Sequence, residues 1–106
     1  MARTEIDAGV CGFFTHVRAV SDDDQHVEVD ISSTCPHISA AAPALKSVDA
    51  YVEIFTKLDQ TRTYEVLSEH VPHVACPVFT GVLKTIEAAA NLALPRPSSI
   101  TFLDED

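Results

Sequence analysis

Positive charge is scarce in this chain: seven Lys and Arg stand against sixteen Asp and Glu, a formal net charge of −9 with neutral histidines. No basic stripe is available to neutralise phosphates, so nucleic acid and anionic membrane surfaces are excluded as expected partners. Long apolar runs are missing too, and none approaches the roughly 20 residues that span a bilayer. The opening stretch MARTEIDAGV lacks the charged-then-apolar layout of a signal peptide. A cytoplasmic protein is expected, in a compartment where thiols stay reduced. Also absent are a phosphate-cradling glycine loop, a C-x-x-C pair and an H-E-x-x-H helix. No acid–base pair and no nucleophile with an orienting Asn or Asp stands out, so enzyme function of the usual kind is not expected.

What remains is a chain of 106 residues, 46% hydrophobic and 22% charged. That length holds one domain with a modest core, and the composition is that of a globular fold. Thr4 to Asp7 alternates and reads as an edge strand. Gly9 and Gly12 flank Cys11 in a turn. From Phe13 the alternation is clear, with Phe13, Thr15, Val17 and Ala19 on one face and Phe14, His16, Arg18 and Val20 on the other. The acidic turn Ser21 to Gln25 leads into a second strand, His26 to Ser32, with Val27, Val29 and Ile31 inward.

After Cys35 the period becomes helical. Pro36 suits a first helical position, and Pro43 limits that helix to a short or kinked one over His37 to Leu45. A second helix is expected over about Val48 to Leu58, with Val48, Tyr51, Val52, Phe55 and Leu58 inward. A third runs from Thr63 to His70, carrying Tyr64, Leu67 and Val71 inward. Cys76-Pro77 opens the longest helix, to about Ala93, with Val78, Val82, Ile86, Ala89 and Ala93 on one stripe. Ser99 to Leu103 alternates again and is expected to return to the sheet with Ile100 and Phe102 inward; the Asp-Glu-Asp tail is expected to be solvated. The sum is an α+β two-layer domain, a small antiparallel sheet with helices on one face.

The three cysteines fall at element boundaries: Cys11 in the glycine-flanked turn, Cys35 and Cys76 at the N-caps of two helices. The free N–H groups and positive dipole end there favour thiolate over thiol. Thiolate is the form that binds metal or attacks an electrophile. An odd count also forbids full pairing within the chain. His37, two residues after Cys35, and His73, three before Cys76, are candidate additional ligands, since Cys with His is a familiar environment for zinc and for some iron–sulfur centres. His16, His26 and His70 read as surface or helix-end residues.

The order Cys11-Gly12, strand, strand, Cys35, helices, then Cys76 at the start of a long helix resembles the iron–sulfur cluster assembly scaffolds of the IscU type and the N-terminal domain of NifU. The resemblance covers about Thr4 to Leu94. It implies a three-stranded antiparallel sheet with packed helices, and Cys11, Cys35 and Cys76 as ligands to a [2Fe-2S] cluster or to zinc. It also implies protein partners in iron–sulfur or sulfur metabolism. Two positions depart from that family: Phe13 stands where it has an Asp, and Ala75 where it has a His. The pattern Cys-Gly-Phe, Cys-Pro-His, Cys-Pro is also similar to that of a family of small prokaryotic proteins, which implies no activity. Three readings follow. The first is a metal-site protein built on the three cysteines, with Phe13 and Phe14 shielding the centre. The second is a sulfur carrier or redox protein acting through Cys35 or Cys76. The third is a binding module in which the cysteines only pack.

Overall fold

A computed structural model describes residues 1–104. Four strands form one antiparallel sheet in chain order: β1 (Ala2–Asp7), β2 (Phe14–Val20), β3 (His26–Ser33) and β4 (Ser47–Asp49). Thr4 pairs with Val17 and Val17 with Ile31, so one face carries Thr4, Ile6, Thr15, Val17, Ala19, Val27, Val29 and Ile31. That face is covered by helices α1 (Pro36–Ala41), α2 (Ala50–Phe55), α3 (Arg62–His70) and α4 (Val78–Ala89). The other face, with Arg3, Glu5, His16, Arg18, Glu28 and Asp30, is open to solvent. The expected two-layer α+β architecture is what the chain adopts.

The core gathers the inward strand residues with Ile38, Leu45, Val66, Leu67, Val78, Val82 and Ile86, each almost fully buried. Each such side chain stabilises the fold by about 1.5–3 kcal/mol through area removed from water. Pro43 sits in a 3-10 turn (Ala42–Ala44) directly after α1, which keeps that helix to six residues.

Three expectations are corrected. Val48 belongs to β4, where it pairs with Val27, and α2 begins only after Asp49. The Asp49 carboxylate accepts from the N–H groups of Tyr51 and Val52 and so starts the helix two residues late, at Ala50. Tyr51, Val52, Phe55 and Leu58 consequently face solvent, while Ala50 and Glu53 face inward. Tyr64 also lies at the surface, packed against Phe79 with ring centroids 5.9 Å apart. Second, α4 stops at Ala89 rather than Ala93. Asn91 takes a left-handed conformation (φ 58°), and Leu92 N–H reaches back to the Glu87 carbonyl, a Schellman ending. Third, Ser99 to Leu103 does not return to the sheet. It carries no regular secondary structure, and Ile100 and Phe102 are exposed rather than inward. The fourth strand is instead Ser47–Asp49, a segment too short for its alternation to register. Of the acidic tail, Glu105 and Asp106 lie outside the described residues.

Candidate metal centre

Two contacts fix the direction of α4 across the sheet. Gly81 packs against Ile6, and one turn later the Thr85 hydroxyl meets the Thr4 hydroxyl at 2.7 Å. Helix residues therefore ascend as β1 residues descend, and the two elements run antiparallel. At the far end Asn91 Nδ2 donates to Asp24 in the β2–β3 turn, 2.9 Å away. The start of α4, with Cys76, must then lie at the other end of the sheet, beside the β1–β2 connection.

That connection carries Cys11. Gly9 and Gly12 both adopt positive φ (86° and 74°), and Gly12 N–H closes a turn on the Gly9 carbonyl at 2.9 Å. Cys11 sits exposed within this tight loop. Two left-handed positions, two residues before the thiol and one after it, are the reason glycine is needed there.

Cys35 arrives at the same end because β3 runs antiparallel to β2. Thr34 N–H donates to the Phe14 carbonyl (3.0 Å), and Phe14 N–H donates to the Thr34 hydroxyl (3.0 Å). The Ser33 hydroxyl donates to the same Phe14 carbonyl (3.2 Å), lies 2.8 Å from the Thr15 hydroxyl and accepts from Cys35 N–H (3.0 Å). These bonds clamp the Cys35 stretch to the strand that leaves the Cys11 loop. Ser33 and Thr34 are residues that sequence reasoning passed over. A Ser-Ser-Thr run directly before Cys-Pro is the signal that points to them, because short hydroxyl side chains compete for local backbone groups.

Electrostatics at Cys76 register the same proximity. Its thiol is pushed above the ordinary value, first by burial, then by the neighbouring Cys35 and Cys11; the Val78 N–H pulls the other way. This corrects the expectation that the helix start makes Cys76 a ready thiolate. Its position differs slightly too, since Pro77 is the residue that caps α4 and Cys76 precedes it. Cys35 is the N-cap of α1, with extended backbone angles and no side-chain capping bond.

The three thiols are free and share one end of the molecule. They do not close on one another: among the described residues no group of three His, Cys, Asp or Glu side chains is gathered tightly enough to hold an ion. His37 is exposed in the first turn of α1. His73 is exposed in the connector, where its carbonyl accepts from Cys76 N–H (3.3 Å). Phe13 is half-buried, while Phe14 projects to the outer sheet face and stays 41% exposed, which takes Phe14 out of the expected shield. His16 faces Glu5 at 3.6 Å, His26 holds Asp23, and the His70 ring lies 3.1 Å from the Val66 carbonyl; all three are engaged away from the thiols.

The chain belongs to a family of unknown function (DUF6951), whose model matches residues 2–102. No curated protein and no solved structure matches it. No helix among the described residues is long and apolar enough to cross a membrane.

Proposed function

We propose that this protein binds a metal centre, an iron–sulfur cluster of the [2Fe-2S] kind or a zinc ion, through Cys11, Cys35 and Cys76. The observation that carries the reading is the placement of three thiols, distant in sequence, at one end of the sheet: the β1–β2 loop carries Cys11, the Ser33 and Thr34 bonds hold Cys35 against Phe14, and the Gly81–Ile6 and Thr85–Thr4 contacts direct the Cys76 end of α4 there. Bringing thiolates together is unfavourable on its own, and a cation between them converts that repulsion into binding. Three soft sulfur donors suit zinc and iron–sulfur clusters rather than calcium or magnesium. In this reading Cys11, Cys35 and Cys76 supply three sulfurs, with His37 or His73 as the fourth donor.

The acidic surface and three unpaired thiols accord with a cytoplasmic setting and with protein partners in iron–sulfur or sulfur metabolism. Phe13 stands where the IscU-type scaffolds carry an Asp, and the reading is accordingly of a centre held rather than passed on.

Anaerobic purification with metal analysis and a visible spectrum tests this. One zinc or two irons per chain, with charge-transfer bands in the iron form, is the expected result. A colourless protein without stoichiometric metal, before and after reconstitution with iron and sulfide or with zinc, rejects the reading.

A further inference from the structure

Two of the chain's seven Lys and Arg residues stand directly against each other. Arg3 on β1 and Arg18 on β2 are register partners on the open face of the sheet. Partners in such a ladder hold their Cα atoms about 4.5–5.5 Å apart, and like charges placed there destabilise the sheet. Among the described residues neither guanidinium makes an ion pair, although the chain has sixteen acids. The carboxylates nearest in register are engaged elsewhere. Asp30, opposite Arg18, has Lys46 at 3.7 Å, and Glu5 has His16 at 3.6 Å.

The two arginines share a depression. Together with Glu5, His16, Asp30 and Ser32 they line a shallow hollow of about 530 Å³ across β1, β2 and β3. Two cross-strand rows build it: Arg3, Arg18 and Asp30 form one, and Glu5, His16 and Ser32 form the other. That volume suits a small molecule. A single facing pair of arginines is also no basic stripe, so a polyanion is not the ligand it fits.

The two guanidiniums select the chemistry of that molecule. Each presents N–H groups in a planar fork that takes a pair of oxygens. A carboxylate has two oxygens and one charge, so it serves one fork and leaves the other bare. A phosphate monoester has three terminal oxygens and close to two charges, so it serves both. Bound between them, it turns their mutual repulsion into attraction. The second row then offers the Ser32 hydroxyl and the Glu5 carboxylate to hydroxyl groups on the rest of the molecule.

We infer that Arg3 and Arg18 hold the phosphate group of a small phosphorylated molecule lying on the open face of the sheet. The helices cover the opposite face, and Arg3 lies at the end of β1 away from the Cys11 loop. The site is therefore separate from the thiols and independent of any metal they hold.

Titration of the full chain with glycerol phosphate, inorganic phosphate and acetate tests the inference. It is run at matched ionic strength and about pH 8, above the second phosphate pKa of about 6, and followed by amide NMR. Both phosphates are expected to bind saturably, one per chain, with shifts centred on Arg3, His16 and Arg18. Glycerol phosphate is expected to bind more tightly than inorganic phosphate, and acetate about tenfold more weakly than either. Arg3→Gln and Arg18→Gln are each expected to weaken phosphate binding by about tenfold or more. Without phosphate both variants are expected to melt no lower than the wild type, because each removes one charge of the facing pair. No saturable binding of glycerol phosphate, binding of inorganic phosphate alone, or equal affinity for acetate overturns the inference. So does phosphate affinity that survives either substitution, or a variant that melts lower in the absence of phosphate.

Discussion

Gly81 lies against the side chain of Ile6, so close that a Cβ at that position would fall 2.7 Å from Ile6 Cγ1. This contact sets the height of α4 on the sheet and so decides how far Cys76 reaches toward the other two thiols. Glycine is a poor helix former, and its presence in mid-helix is explained by this approach.

Gly81→Leu is therefore expected to destabilise the protein by about 1–3 kcal/mol through overpacking. Combined with Ile6→Ala, which opens space, the loss is expected to be less than additive by about 1 kcal/mol. Urea denaturation of the four-member cycle measures it; strict additivity contradicts the contact.

Cys76 should respond to its two thiol neighbours. In the metal-free protein its alkylation is expected to need a pH above the ordinary thiol range, because burial and the neighbouring sulfurs both disfavour its thiolate. Replacing Cys35 or Cys11 by Ser removes one of those charges and is expected to speed Cys76 labelling at a fixed alkaline pH. Rates unaffected by both substitutions would place the thiols apart.

Glu53 is a buried carboxylate that serves α3 from another element. It accepts from Arg62 N–H (3.0 Å) and Thr63 N–H (3.0 Å), and it also takes the Thr63 hydroxyl. Burial nonetheless holds its pKa above 4.5, outweighing those donors. The folded state then binds this proton more tightly than the unfolded one, so stability declines as pH rises from 4.5 through the raised value and is flat beyond it. Glu53→Gln is expected to remove that pH dependence. It also costs about 1–3 kcal/mol, because its amide N–H₂ faces a backbone donor that has lost its acceptor. Chemical denaturation of both proteins across the acid range measures slope and offset together.

The β2–β3 turn carries a local pair whose histidine titrates in the same sense as Glu53 and whose aspartate titrates in the opposite sense. His26 Nδ1 lies 2.7 Å from Asp23 Oδ2, which raises the imidazole pKa above 6.5 and holds the Asp23 carboxyl well below its usual range. The pair's contribution is complete below pH 6.5 on the histidine side and fades as pH climbs through the raised value; on the acid side it is lost only as Asp23 protonates. An NMR titration is expected to put the His26 midpoint above 6.5, and Asp23→Asn to bring it back toward 6.5.

Long-range pattern was legible in the sequence, and local competition was not. The alternation of Thr15, Val17 and Ala19 against Val27, Val29 and Ile31 gave the central hairpin and its inner face, because a pleated strand forces a period of two. The segment from Val48 to Leu58 misled, since its apolar residues fit a helical stripe while the Asp49 cap and the demand of Glu53 for α3 turned that stripe outward. At the candidate centre, Cys-Pro marked the start of α1 correctly. That Cys76 would be raised rather than activated depended on burial by distant elements, which spacing along the chain does not reveal.

The claim on which the functional account rests is that one metal is held by all three sulfurs. Zinc-edge X-ray absorption of the zinc-loaded protein counts those sulfurs directly. Three sulfur neighbours at about 2.3 Å, dropping to two in each of Cys11→Ser, Cys35→Ser and Cys76→Ser, is the expected result. Two or fewer sulfurs in the wild type, or a count that any one of the three substitutions leaves unchanged, would contradict it.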